Sequence, residues 1–108
     1  MSIVDNLEKM LAHGRDSALL RYTLGGEYLK AGDAASAVAH LAEAVRQDPH
    51  YSAAWKIYGK ALTEAGRPDE ARRVYEQGIT TAEARGDIQA AKEMRVFLKR
   101  LKKATQTP

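Results

Sequence analysis

Cysteine is absent from this chain of 108 residues, and proline and the large aromatic residues are scarce. The absence of cysteine excludes disulfide bonds and thiolate metal ligands. No stretch shows the alternating apolar and polar pattern of a half-buried strand. No stretch approaches the roughly 18 to 20 apolar residues that cross a bilayer either. The sequence therefore predicts an all-α protein that neither spans a membrane nor takes one as a partner.

The N-terminus is unlike a secretory signal. Asp5 and Glu8 come before any sizeable apolar run, and no basic stretch is followed by an apolar core. The absence of cysteine is compatible with a reducing compartment. We therefore predict a cytoplasmic protein.

Charge is distributed unevenly along the chain. The net charge is −2 over residues 1–50, +1 over residues 51–86 and +4 over residues 87–108, which together make the overall +3. The length is that of one domain, and a content of 44% hydrophobic and 29% charged residues is ordinary for a globular protein. Positive charge is thus concentrated near the C-terminus.

Two stretches 34 residues apart repeat the same pattern of residue sizes. The first contains Arg21, Leu24, Gly25, Tyr28, Gly32, Ala37, Leu41 and Ala44. The second contains Trp55, Tyr58, Gly59, Leu62, Gly66, Ala71, Tyr75 and Gly78. An internal repeat of this period predicts stacked structural units.

The repeated residues resemble the tetratricopeptide repeat, a helix-turn-helix unit of 34 residues with the pattern W-x2-L-G-x2-Y, A-x3-F and P. The second copy matches at Trp55, Tyr58, Gly59, Leu62, Ala71 and Tyr75, and the first at Leu24, Gly25, Tyr28, Ala37, Leu41 and Pro49. Arg21 stands in the place of the aromatic residue, and Glu83 in the place of the second proline. Without that proline, the helix containing Glu83 is predicted to run on.

Turn residues predict where the helices begin and end. Gly32-Asp33 and Gly66-Arg67-Pro68 combine a glycine after a helix with a capping aspartate or a first-turn proline. The prediction is one domain, 1–108, of about six antiparallel helices in a tetratricopeptide-like superhelix. Its parts are an N-terminal capping helix at 3–13, repeat 1 at 18–51, repeat 2 at 52–85 and a C-terminal capping helix at 88–103.

Three glycines lie inside the predicted helices, at Gly25, Gly26 and Gly59. Each costs about 1 kcal/mol relative to alanine. Close approach of a neighbouring helix would offset that cost, and we expect it at Gly25 and Gly59 through Ala37 and Ala71.

No arrangement of residues predicts catalysis or metal binding. His13, His40 and His50 do not pair at the spacing of helical zinc ligands, and no nucleophile stands beside a base. The sequence predicts a protein that is not an enzyme, with no cofactor and no metal site.

The resemblance implies that the first helices of successive repeats line a concave groove that receives an extended or helical peptide. The residues predicted to bind it are Leu19, Tyr22, Leu29, Tyr51, Lys56, Lys60, Lys92 and Lys99. One half of this set is apolar and the other half is basic. The predicted partner is a protein or peptide with an apolar anchor and acidic residues beside it.

One tetratricopeptide subfamily holds the C-terminal carboxylate of heat-shock chaperones with five lysine, asparagine and arginine side chains. Those places are taken here by Tyr22, Gly26, Ile57, Gln89 and Glu93. The resemblance therefore does not extend to a chaperone-tail adaptor of that type.

Two alternatives stay open. Leu19, Tyr22 and Leu29 could form a self-complementary patch of a homodimer, which would make the chain a homo-oligomeric scaffold or assembly protein. The basic C-terminal helix could bind nucleic acid, but Phe97 alone does not supply the aromatic residues that stack on bases. Nucleic-acid binding is therefore the less favoured alternative.

Overall fold

The computed structural model describes residues 2–106, and all the regular structure in that range is α-helical. The helices are α1 (Ile3–Ala12), α2 (Ala18–Lys30), α3 (Ala34–Gln47), α4 (Ser52–Glu64), α5 (Pro68–Arg85) and α6 (Ile88–Gln106). The predicted all-α class with six helices is confirmed for these residues. Met1, Thr107 and Pro108, which belong to the predicted domain, lie outside the described residues.

The helix boundaries follow the turn residues. Gly32 and Gly66 have φ of +83° and +75°, the left-handed conformation that glycine adopts without steric cost. Asp33 caps α3 by accepting a hydrogen bond from the amide of Ser36 at 3.1 Å, and Pro68 is the first residue of α5. The predicted stop and start signals are therefore present in the structure.

The two terminal helices differ from their predicted limits. α1 ends at Ala12, and α6 continues to Gln106, three residues past the predicted end. α5 runs past Glu83 to Arg85, as expected where the terminating proline is missing. The hairpins α2–α3 and α4–α5 lie within the two predicted repeats, whose exact division at residues 51 and 52 stays a prediction.

The helices form two layers. α2, α4 and α6 are neighbours in one layer, whereas α3 and α5 pack behind them, between successive members of the first layer. The resulting body measures 44 × 33 × 18 Å. This arrangement leaves one side of α2, α4 and α6 facing solvent together.

Glycine allows the two helices of each hairpin to approach closely. A β-carbon on Gly25 would lie 2.4 Å from Cγ of Leu41, and one on Gly59 would lie 2.3 Å from Cε1 of Tyr75. These nearest atoms belong to residues one turn beyond the predicted partners Ala37 and Ala71. The larger side chains of Leu41 and Tyr75 occupy the space that the missing β-carbons leave.

Two clusters of buried side chains form the core, and Trp55 packs against both. The larger cluster contains Leu41, Leu62, Tyr75 and Met94, and the smaller contains Ala44, Val45 and Ala54. The indole Nε1 of Trp55 donates a hydrogen bond to the carbonyl of Pro49 at 2.8 Å. Trp55 thus connects the two hairpins and fixes the turn that joins them.

Arg21, which replaces the aromatic residue in the first repeat, fastens the loop before α2. Its Nε and Nη2 each donate a hydrogen bond to Asp16 at 2.9 Å, and Gln47 donates a third to the same carboxylate at 3.0 Å. These bonds hold the pKa of Asp16 well below its ordinary value. An ionic contact therefore stands where the second repeat has an indole.

α1 packs on α2 and has no buried residue. Ile3 and Met10 stay exposed, whereas Ala37 and Ala44, which lie 34 residues later in α3, are buried. The carboxylate of Glu8 accepts a hydrogen bond from the hydroxyl of Tyr28 at 2.9 Å and lies 3.2 Å from Nε2 of His40. Polar contacts of Glu8 therefore contribute to the attachment of α1.

Candidate functional site

The solvent-facing side of α2, α4 and α6 is called here the groove face, and it carries Tyr22, Gly26, Ile57, Lys60 and Phe97. Between α2 and α4 lie two adjoining depressions of about 220 and 300 Å³. Both are lined by Gly26, Lys30 and Ile57, so we treat them as one α2–α4 depression. Gly26 leaves it open because no atom lies within 4 Å of the place where its β-carbon would stand.

A second depression, of about 340 Å³, lies between α4 and α6. Its lining comprises Lys60, Thr63, Glu64, Tyr75, Phe97, Arg100, Leu101 and Ala104. Tyr75 and Leu101 are buried and form its floor, and the rings of Tyr75 and Phe97 lie 6.0 Å apart. This α4–α6 depression is therefore an apolar cup with charged side chains on its rim.

The apolar residues predicted to bind a partner occupy different environments. Tyr22 and Tyr51 lie together, with ring centroids 4.9 Å apart, and Tyr22 also lines the α2–α4 depression. Leu29 is half-buried and lines the same depression. Leu19 lies near the start of α2 and is 64% exposed. The structure thus brings Tyr22, Tyr51 and Leu29 to the α2 side.

The four predicted lysines do not form one group. Nζ of Lys56 lies 3.0 Å from the carboxylate of Glu93, so its charge is compensated. Lys60 lies over the ring of Phe97, 5.6 Å from its centroid. Lys99 lines a separate depression formed by residues of α6 alone, and Lys92 is exposed. Of the four, Lys56 and Lys60 are neighbours on α4.

The residues predicted to bind a partner on the last helix were Lys92 and Lys99, and they did not include Phe97, Arg100 or Ala104. The structure instead turns Glu93, Phe97, Arg100 and Ala104 toward α4. The sequence contains a signal for this set, because these residues recur at intervals of four, three and four residues. That stripe lies beside the core stripe of Ala91, Met94, Leu98 and Leu101.

Glu93 and Tyr75 are ionisable groups of this region whose pKa values are shifted by their surroundings. Hydrogen bonds from Lys56 and Gln89 lower the pKa of Glu93, so its carboxylate is ionised and already bound. Burial raises the pKa of Tyr75 to about 12, which keeps its phenol neutral. Among residues 2–106 no cluster of three or more potential metal ligands is found.

No helix within the described part of the chain is long and apolar enough to cross a membrane.

The tetratricopeptide repeat model matches residues 28–94, more than half of the chain. The chain belongs to the tetratricopeptide repeat family. Tetratricopeptide repeats generally serve protein interaction without catalysis, so the groove face lies on a protein-interaction fold. The resemblance found in the sequence is confirmed.

Two relatives match along nearly the whole tetratricopeptide chain. A TPR repeat-containing protein of Pseudomonas aeruginosa is 55% identical over 102 residues, which cover 94% of this chain and 97% of the relative. The solution structure of a protein from Bordetella parapertussis is 44% identical with a TM-score of 0.84, over 96% of this chain and 90% of the other. Both relatives match this chain over nearly its whole length, in agreement with the family assignment.

A third solved structure contains a bound peptide. The second TPR domain of human RPAP3, in complex with the HSP70 peptide SGPTIEEVD, has a TM-score of 0.76 at 26% identity. The match covers 92% of this chain and 78% of that domain. This RPAP3 domain, whose fold is similar to that of the present chain, thus binds a peptide.

Proposed function

We propose that this tetratricopeptide protein is a non-catalytic interaction module whose groove face binds a peptide segment of another protein. The observation that carries the proposal is the row of adjoining depressions along α2, α4 and α6. Gly26 keeps one of them open, and the buried Tyr75 gives another a rigid floor. A surface that is concave, partly apolar and bordered by a few polar groups is the usual form of a binding site.

The peptide-bound RPAP3 domain supports this proposal at the level of the fold. It does not support the same ligand, because Tyr22, Gly26 and Ile57 occupy the places where a chaperone-tail clamp has amide and cationic side chains. Tyr22 and Ile57 instead line an apolar depression. We therefore expect a partner segment other than a chaperone C-terminus.

Acidic residues in the partner remain part of the proposal, although Lys56 contributes less than the sequence suggested. Its ammonium already binds Glu93, so a partner carboxylate would have to displace that contact. Lys60 is free of such a pairing among the described residues. Exposed ion pairs contribute only about 0.2–1 kcal/mol each, so apolar burial has to supply most of the affinity, and charge mainly speeds the encounter.

The test fills the α2–α4 depression without disturbing the core. In Gly26→Phe the new ring would project into open space, and we expect it to abolish binding of the partner segment. Ala39→Phe is the matched control, because Ala39 is an exposed alanine of α3, away from the groove face. The partner is captured from native extract with the wild-type protein, and its binding segment is then synthesised.

The synthesised segment is titrated into isotope-labelled protein and followed by NMR. We expect chemical-shift changes to concentrate on α2, α4 and α6, with loss in Gly26→Phe and retention in Ala39→Phe. Changes concentrated on α3 and α5 instead would overturn the proposed site.

Self-association is the second candidate, and the exposed side chain of Leu19 favours it. A homodimer that buried this residue would give a molecular mass that doubles with concentration, and Leu19→Lys would restore the monomer. Light scattering at two concentrations measures both.

Nucleic-acid binding through the basic α6 has less support, because Lys60 already covers the one phenylalanine ring. The cytoplasmic location of the protein stays a prediction from the sequence.

A further inference from the structure

The α4–α6 depression combines an apolar floor with cations that lack a counter-ion. Lys60 and Arg100 line its rim, and neither forms an ion pair with another residue of the described range. The cations bordering the α2 side are different, because Lys30 lies 3.4 Å from Glu27 and Lys56 lies 3.0 Å from Glu93. The cations of the groove face that have no counter-ion therefore lie beside this depression.

The hydroxyl of Thr63, in the lining of the depression, already has a hydrogen-bond partner. It donates to the carbonyl of Gly59 at 2.9 Å. Within residues 2–106, no buried side-chain polar atom is left without a hydrogen-bond partner. A partner side chain that packs beside Thr63 therefore does not leave that hydroxyl without a hydrogen bond.

The volume suits one large side chain. At about 340 Å³ the depression is at the lower end of the 300–1,000 Å³ typical of small-molecule sites. The rings of Phe97 and Tyr75 offer edges and faces on which an aromatic or branched aliphatic group can pack. Lys60 and Arg100 then lie above that group, next to the chain that carries it.

We propose that the α4–α6 depression receives one aromatic or branched aliphatic side chain of an acidic peptide segment, and that Lys60 and Arg100 select carboxylates beside that anchor. This inference rests on the proposed function and names the partner's chemistry. Glu64 lies on the α4 part of the same rim, so the arrangement favours carboxylates on the α6 side and disfavours them toward α2.

Three synthetic peptides test the anchor and the charge separately. The acidic probe is acetyl-Gly-Glu-Glu-Phe-Glu-Glu-Gly-amide; a second probe replaces Phe with Ala, and a third replaces every Glu with Lys. NMR titration suits the weak binding expected of short peptides. We expect the acidic Phe probe to shift signals of Thr63, Phe97 and Arg100, the Ala probe to bind at least about tenfold more weakly, and the Lys probe not to bind.

Two substitutions with matched controls locate the site. Ala104→Phe fills the depression from an exposed position, whereas Ala84→Phe makes the same change on the exposed surface of α5. Arg100→Glu reverses a rim charge, whereas Lys99→Glu makes a comparable reversal on a part of α6 outside the depression. We expect Ala104→Phe to abolish binding of the acidic Phe probe and Arg100→Glu to weaken it several-fold more than Lys99→Glu does.

Other outcomes overturn the inference. Equal binding of the Phe and Ala probes excludes the anchor, and equal effects of Arg100→Glu and Lys99→Glu exclude the selection by charge. If the acidic Phe probe gives no saturable shifts around the depression of the wild-type protein, the site is excluded. A native partner segment lost in Gly26→Phe but retained in Ala104→Phe would overturn this inference and leave the proposed function intact.

Discussion

Gly59 lies against the ring of Tyr75 so closely that a β-carbon on the glycine would stand 2.3 Å from Cε1 and 2.6 Å from Cζ. Tyr75 is only 2% exposed, so neighbouring side chains surround most of its ring. The separation of α4 and α5 is therefore determined by the absence of one carbon atom. The same relationship holds between Gly25 and Leu41 in the first hairpin.

Two alanine substitutions should change stability in opposite directions. Gly59→Ala forces its methyl group into the buried tyrosine ring, and we expect the free energy of unfolding to fall by about 1–3 kcal/mol. Gly26→Ala is the control, because its methyl group would meet no atom within 4 Å. It should stabilise the protein by up to about 1 kcal/mol through helix propensity. Urea denaturation measures both, and stabilisation by Gly59→Ala would contradict the close approach.

The sequence predicted the architecture well because its signals are local and repeated. Gly32, Asp33 and Pro68 mark helix ends through their own backbone properties, and these marks do not depend on distant residues. The partner of Gly59 could not be found in the same way, because it depends on how far one helix slides along another. Spacing alone suggested Ala71, and the structure places Tyr75 there.

The candidate site was predicted less completely for the same reason. Lys56 and Glu93 are 37 residues apart in sequence and lie on different helices. Their pairing depends on the rotation of α6 about its axis. The sequence-based prediction had Lys92 and Lys99 facing the partner. In the structure α6 is rotated so that Phe97 and Arg100 line the depression instead. Residues on α2 and α4 were less affected, because the 34-residue repeat fixes their equivalent positions.

Trp55 should be a major determinant of stability because it packs against both core clusters. Trp55→Ala removes that packing, and we expect a loss of about 3–5 kcal/mol in the free energy of unfolding. Trp55→Phe keeps a ring but loses the hydrogen bond to the carbonyl of Pro49. Part of the loss should then remain, including about 1 kcal/mol for the missing hydrogen bond. If both variants unfold at the same urea concentration, the ring contributes nothing beyond the hydrogen bond.

Stability should fall at high pH through the ionisation of Tyr75. Burial raises the pKa of its phenol to about 12 in the folded protein, whereas a tyrosine in the unfolded chain ionises near pH ~10. Below pH ~10 both states hold the proton and stability is unaffected. Between these values the unfolded state alone loses it, so the free energy of unfolding falls as pH rises, by about 2–3 kcal/mol in total.

Tyr75→Phe removes the ionisable group and tests that assignment. We expect the variant to lose less stability than the wild type as pH rises from about 10 to 12, when both are followed by urea denaturation monitored by circular dichroism. Other tyrosines, such as the half-buried Tyr58, also have a raised pKa, so some decline should remain. An identical decline in the two proteins would mean that Tyr75 does not control it.

The attachment of α1 should depend on Glu8, because none of the residues of this helix is buried. Glu8→Ala removes the acceptor of the Tyr28 hydroxyl and the carboxylate beside His40. One lost hydrogen bond to a charged group is worth about 1.5 kcal/mol or more, so amide exchange in Ile3–Ala12 should accelerate about tenfold. Exchange in α4 and α5, which do not contact α1, should stay the same.

Glu76→Ala, at an exposed acid of α5, is the control and should change neither region. Unaltered exchange of α1 in Glu8→Ala would show that its apolar contacts with α2 suffice to hold it.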